Sequence, residues 1–220
     1  MYHSSPISFT HFPAKRNLTF YGISTLSIEP NICKITIGIN TESQNVTTAQ
    51  RENASIHQQV VRAILDLGIP SANIQTVDYT IFPLYDYTEN TQIFRGYKVT
   101  HLLSIIVETI KYAGTVIDTA VQNGANQVTT NQFDVRNRAK YYEKALQKAV
   151  KDTLSKAQAM AETLHITINP IPVRLVEIPS GSPLPLPLTK MSISDVGGIS
   201  TNLEAGQLVI EARVEAKFSY

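Results

Sequence analysis

Residues 94–108 read as an unusually long strand, and that length strongly constrains the fold. Val99, His101, Leu103, Ile105 and Val107 fall on one side of a two-residue period, the period of a β-strand. Residues 32–41 repeat the pattern, with Cys33, Ile35, Ile37 and Ile39 on one face and Lys34, Thr36 and Asn40 on the other. Between these strands lies a helical period. Ala49, Asn53, Ile56, Val60, Ile64 and Leu67 recur at three-to-four spacing. Thr47 and Gln50 have capping-box spacing at its start, and Gly68 and Pro70 stop it.

The rest of this region follows the same logic. A strand is expected over residues 74–83, a shorter helix over 112–122 stopped by Asn123 and Gly124, and a strand over 127–135. Residues 84–90 are expected to form a polar and aromatic hairpin tip. Residues 32–135 thus spell β-α-β-β-α-β, the split βαβ order of ferredoxin-like folds, in which two helices cover one face of an antiparallel sheet. The expected class is α+β. That order says nothing about function.

Outside this core, a first strand is expected over residues 18–21, ending at Gly22. A long helix is expected over 138–164, with an inner stripe of Ala139, Tyr142, Leu146, Ala149, Thr153, Ala157, Met160 and Leu164. So many alanines let a neighbouring element come close. A strand over 173–178 and an irregular stretch over 179–206 precede a closing strand. There Leu208, Ile210, Ala212, Val214, Ala216 and Phe218 face one way, and Glu211, Arg213, Glu215 and Lys217 the other, as in a strand with one buried and one wet face. Residues 1–17 are read as a flexible tail. Residues 18–220 are read as one domain, in which 136–220 add a long helix, a Pro-rich loop and C-terminal strands to the core.

Composition narrows the function classes. A chain of 220 residues with 43% hydrophobic and 17% charged residues is globular. Its net charge of +1 makes no whole-protein case for nucleic acid or an anionic membrane. A single cysteine, Cys33, excludes an intrachain disulfide and a multi-thiolate metal site. The N-terminus lacks a basic region ahead of an apolar stretch, since Lys15 and Arg16 come late. The expected location is cytoplasmic, or exported if a leader has been removed. No apolar run approaches the roughly 20 residues that span a bilayer.

Glycine, proline and aromatic positions then line up with a known family. Its opening strand and glycine-containing turn match Leu18 and Gly22, and its following Pro-Asp matches Pro30 with Asn31 in place of Asp. Its next motifs match Gly68-Ile69, Ile74-Gln75-Thr76, Pro83 with Tyr85, and Gly96-Tyr97. Gly124-Ala125-Asn126 followed by Phe133, the Ala- and Lys-rich helix at 145–161 and the closing strand at 206–214 complete the order. The chain resembles the SIMPL-domain family over residues 18–220. The resemblance implies an α+β fold, large ring-like or barrel-like homo-oligomers, a loose link to stress tolerance and no established catalytic residues. Members of this kind are often exported, whereas this chain shows no signal. With Asn31 in place of a carboxylate, any role of that acid does not carry over.

Candidate chemistry is sparse. None of His3, His11, His57, His101 and His165 pairs with another His or Cys at metal-ligand spacing on one element. Cys33 reads as a buried apolar thiol. Gly197-Gly198 has no helix behind it and reads as a turn, not a phosphate loop. No metal or cofactor is expected. Lys140, Lys144, Lys148 and Lys151, with Arg136 and Arg138 before them, form a basic helix face. It is read as solvated, with Glu143 and Asp152 in partial neutralisation, rather than as a nucleic-acid surface.

The informative residues are aromatic and proline. Tyr79, Phe82, Tyr85, Tyr87, Phe94 and Tyr97 flank one hairpin, and tyrosine is enriched in interface cores because it buries area and keeps a polar handle. Pro183, Pro185 and Pro187 alternate with leucines, a pattern that favours polyproline II. The expectation is a non-enzymatic, self-assembling protein. The alternative is a small-molecule or peptide-binding module with a cleft near the Pro-rich loop. An enzyme would need folding to converge groups such as His101, Asp78 and Glu108.

Overall fold

The computed structural model describes residues 16–88, 91–179, 201 and 203–220. Its elements are β1 (Asn17–Ile28), β2 (Ile32–Ser43), α1 (Val46–Asp66), β3 (Ile74–Thr88), β4 (Thr91–Val107), α2 (Ala113–Gln122), β5 (Gln127–Asp134), α3 (Arg138–Thr163), β6 (Arg174–Ile178) and β7 (Leu208–Ser219). The class is mixed α+β. Two compact units form. Among the described residues, one is built on 27–138 with 201 and 203–208, the other on 16–26, 139–179 and 209–220.

In the first unit the elements succeed one another as β-α-β-β-α-β, and the sheet order is β3-β4-β2-β5. Every neighbouring pair is antiparallel. The register sets Ile35 opposite Ile105, Ile37 opposite Leu103 and Ile39 opposite His101, so the two alternating faces read from the sequence lie side by side. α1 and α2 cover them. Ile35, Ile37, Leu103, Ile105, Val60, Ile64 and Val116 join in one core cluster. Each such fully buried side chain contributes about 1.5–3 kcal/mol.

Two local expectations change here. α1 is capped by Asn45, whose side chain accepts from the Thr48 backbone N–H. This makes Asn45, rather than Thr47, the residue that satisfies an orphan donor at the helix start. The hairpin tip is also shorter than the polar run suggested. Pairing continues through Tyr85 opposite Phe94, Asp86 opposite Ile93 and Tyr87 opposite Gln92. Aromatic and β-branched cross-strand pairs stabilise a ladder, so Tyr85 and Tyr87 are strand residues, not loop residues.

The second unit is a sheet of order β1-β7-β6 packed with α3. β6 and β7 are antiparallel, with Leu175 opposite Ala216. Ile210, Ala212, Val214, Ala216 and Phe218 are buried, as the alternation required. Phe218 packs with Ala157 and Phe20, its ring 6.1 Å from that of Phe20. β1 does not end at Gly22 but runs through it. A Cβ at Gly22 would stand 2.0 Å from the Ala149 carbonyl oxygen and 2.6 Å from Thr153 Cγ2. Gly22 therefore serves close packing of strand on helix rather than a turn. The buried stripe of α3 shifts accordingly to Ala145, Ala149, Thr153, Ala157 and Ala161. Met160 and Leu164, placed on the stripe by the sequence pattern, are exposed, since a strand this close leaves room only for small side chains.

Among the described residues no helix is long and apolar enough to cross a membrane.

Candidate functional site

β3 and β4 form a hairpin of 15- and 17-residue strands, far longer than the usual five or six. The six aromatic residues singled out from the sequence all lie on it, but they do not form one cluster. Phe94 stands between Tyr85 and Tyr97, with centroids 5.8 and 5.2 Å away and both contacts edge-on. Tyr79 instead meets the edge of His101. Phe82 lies opposite Lys98 and is 57% exposed, and Tyr87 is 76% exposed. Val77 and Ile93 add further exposed apolar surface. At the base, Arg95 lies 3.5 Å from Glu42 and 4.0 Å from Asp86.

A second feature joins residues that no local spacing links. His57 from α1 and His101 from β4 stack with centroids 4.1 Å apart and planes 4° apart. Thr76 Oγ1 lies 3.0 Å from His101 Nε2. Both imidazoles titrate below the ordinary value of 6.5: His57 because it is partly buried, His101 for the same reason and through the charge of His57. Parallel rings point their nitrogen lone pairs side by side, so they do not converge on one cation. Among the described residues no group of three or more His, Cys, Asp or Glu could hold a metal ion. The sequence held a faint signal for the stack. His101 occupies an otherwise apolar face, and His57 adjoins the inner row of α1.

A pocket of about 440 Å³ opens where the end of α1, the turn at Pro70, the end of β4 and the start of α2 meet. Its apolar walls include Leu67, Ile69, Pro70, Val107 and Val116. Tyr112 and the polar side chains of Asn73, Glu108, Thr109 and Thr115 complete it. Asn73 Nδ2 donates to Glu108 Oε1 at 3.2 Å, and Arg136 pairs with the same oxygen. Sequence patterning could not find this pocket, because its residues come from separate element ends.

The remaining candidates stay apart. Lys140, Lys144, Lys148 and Lys151 are exposed along α3, and Lys144 lies 5.8 Å from the Tyr141 ring centroid. Asp152, expected to temper that row, is held by Lys156 at 2.7 Å and accepts from the Ile23 backbone N–H at 3.1 Å. Cys33 is buried, and desolvation pushes its thiol up to about 11, against nucleophilic use. His101, Asp78 and Glu108 do not converge. His101 sits against His57, Glu108 sits with Asn73 and Arg136, and Asp78 pairs opposite Leu102. Pro183, Pro185 and Pro187 lie outside the described residues.

The SIMPL family, described as a protein of unknown function (DUF541), matches residues 18–218. The chain is 23% identical over 195 residues to the uncharacterized protein YggE of Escherichia coli K12, covering 86% of this chain and 76% of that protein. It is 24% identical over 185 residues to the 26 kDa periplasmic immunogenic protein of Brucella melitensis, covering 81% of this chain and 72% of that one. YggE of Edwardsiella ictaluri is 18% identical over 172 residues, covering 76% and 71%. The Brucella relative is periplasmic by name. This overturns the cytoplasmic expectation, which rested only on the absence of a visible leader. With its match running through both compact units, the chain belongs to the SIMPL family.

Proposed function

We propose that this chain is a non-enzymatic, exported protein that assembles with copies of itself through the β3–β4 hairpin. One observation carries the reading. β3 is the terminal strand of its sheet and pairs only with β4 among the described residues. An unpaired edge is a template for another strand, and soluble proteins usually blunt it by keeping it short or charged. β3 is not short, and although Asp78, Pro83, Asp86 and two register shifts interrupt it, it carries exposed Val77, Tyr79, Phe82, Tyr85 and Tyr87 along its 15 residues. A second copy of the chain is the occupant that the edge favours, since identical long edges can pair about a symmetry axis and bury both aromatic rows.

The non-enzymatic part rests on the dispersal of His101, Asp78 and Glu108. Export follows the periplasmic Brucella relative. A role in stress tolerance rests on the family resemblance alone. The test is a double replacement of Phe82 and Tyr87 by Ser. Both side chains are exposed, so the fold should survive, as circular dichroism would show, while the assembly dissociates. An assembly unchanged by the replacement argues against this surface.

A further inference from the structure

The pocket between α1, β4 and α2 has the size and lining of a small-molecule site. Its volume of about 440 Å³ lies within the usual range of about 300–1,000 Å³, and such sites are mostly apolar with a few placed polar groups. Leu67, Ile69, Pro70 and Val116 supply apolar walls, and Glu108 lies among them.

The partners of Glu108 select the ligand class. Its Oε1 accepts from Asn73 and from Arg136. Its Oε2 has no partner among the described residues. A carboxylate held by Arg136 accepts rather than donates, and Glu108 is half exposed, so a ligand that displaces water from Oε2 brings a donor. An anion would face the carboxylate charge. A cation would compete with Arg136, which already supplies the balancing charge. A neutral hydroxyl meets neither obstacle, and Thr109 and Thr115, which also line the pocket, can accept or donate further bonds. We propose that this pocket binds a small neutral alcohol, with its hydroxyl on Glu108 Oε2 and its apolar body against Leu67, Ile69 and Val116. The inference is independent of assembly, because none of the aromatic residues of the β3–β4 hairpin lines the pocket.

The experiment titrates the full chain with indole-3-ethanol, indole-3-acetate and tryptamine, following backbone amide shifts by NMR. The three probes share a ring system and differ in head group. The alcohol should give saturable shifts at pocket residues, with the acid and the amine each weaker by about tenfold. Thr115→Trp should abolish binding; Thr115 is exposed, so the larger ring projects into the pocket without disturbing the core. Glu108→Gln should weaken the alcohol by about fivefold. It replaces a surface carboxylate and so keeps the test valid should Thr115→Trp misfold. The proposal is overturned by an alcohol that gives no saturable shift up to about 10 mM, by an acid or amine that binds as tightly, or by binding indifferent to both substitutions.

Discussion

His57 and His101 stack face to face, 4.1 Å between centroids, where α1 lies on β4. Tyr79 and Thr76 of β3 flank the His101 ring, the tyrosine 5.1 Å away and edge-on. Two protonated imidazoles in this position would repel across the contact that holds the helix to the sheet. Both folded-state values lie below 6.5, so the unfolded chain binds protons more readily than the folded one. The contribution of the pair is thus fully present above about pH 6.5 and declines as pH falls through the unfolded value toward the folded ones. Urea unfolding from about pH 8 to about pH 5 should show falling stability, and His57→Gln should flatten the decline. Stability that rises on acidification across that window, or a slope indifferent to His57→Gln, would contradict this reading of the stack.

Asn53 is the polar residue at the centre of the same helix–sheet contact. It is fully buried, and its Nδ2 donates to the Ile39 carbonyl at 3.0 Å and reaches the Val99 carbonyl at 3.4 Å. Thr41 beside it donates to the Ala49 carbonyl at 2.8 Å. Among the described residues, Asn53 Oδ1 has no hydrogen-bond partner. Asn53→Ala removes the donor to two strands and leaves a void, and should destabilise by about 2 kcal/mol. Chemical denaturation measures it. A neutral or stabilising result would mean that the unsatisfied Oδ1 already cancels the donor's contribution.

The end of α3 carries a correctable strain. His165 adopts φ 54° while its N–H bonds to the Glu162 carbonyl and the Ile166 N–H bonds to the Ala161 carbonyl. That is the left-handed helix stop that glycine adopts without a Cβ clash. His165→Gly should therefore stabilise, by about 0.5–1 kcal/mol after the greater chain entropy of glycine is subtracted. Thermal unfolding should show a raised midpoint. A lowered one would mean that the imidazole makes a contact worth more than the strain.

What could be read ahead of the structure divides along local and long-range lines. β2, β4, α1 and β7 each carry their own period, so Ile35, Leu103, Val60 and Phe218 could be assigned to the core from spacing alone. Gly22 shows the opposite case. Taken locally it reads as a turn, and only the approach of Ala149 explains why the strand continues through it. The closing strands were legible, but not their union with β1 in a second sheet, because pairing depends on contacts far apart in the chain. The candidate site behaved likewise. The aromatic residues stood out by type, whereas the ring sequence Tyr85–Phe94–Tyr97 and the diversion of Tyr79 to His101 depend on register. The histidine stack left only the faint signal of His101 on an apolar face, and the Glu108 pocket left none.

The central claim is that the long, aromatic edge of β3 brings copies of this chain together. Light scattering coupled to size-exclusion chromatography of the full chain, across a wide range of protein concentration, tests it most directly. The account predicts a discrete multiple of the monomer mass, reduced to monomer when Phe82 and Tyr87 are replaced by Ser. A monomer at every concentration, with the hairpin intact, would contradict it.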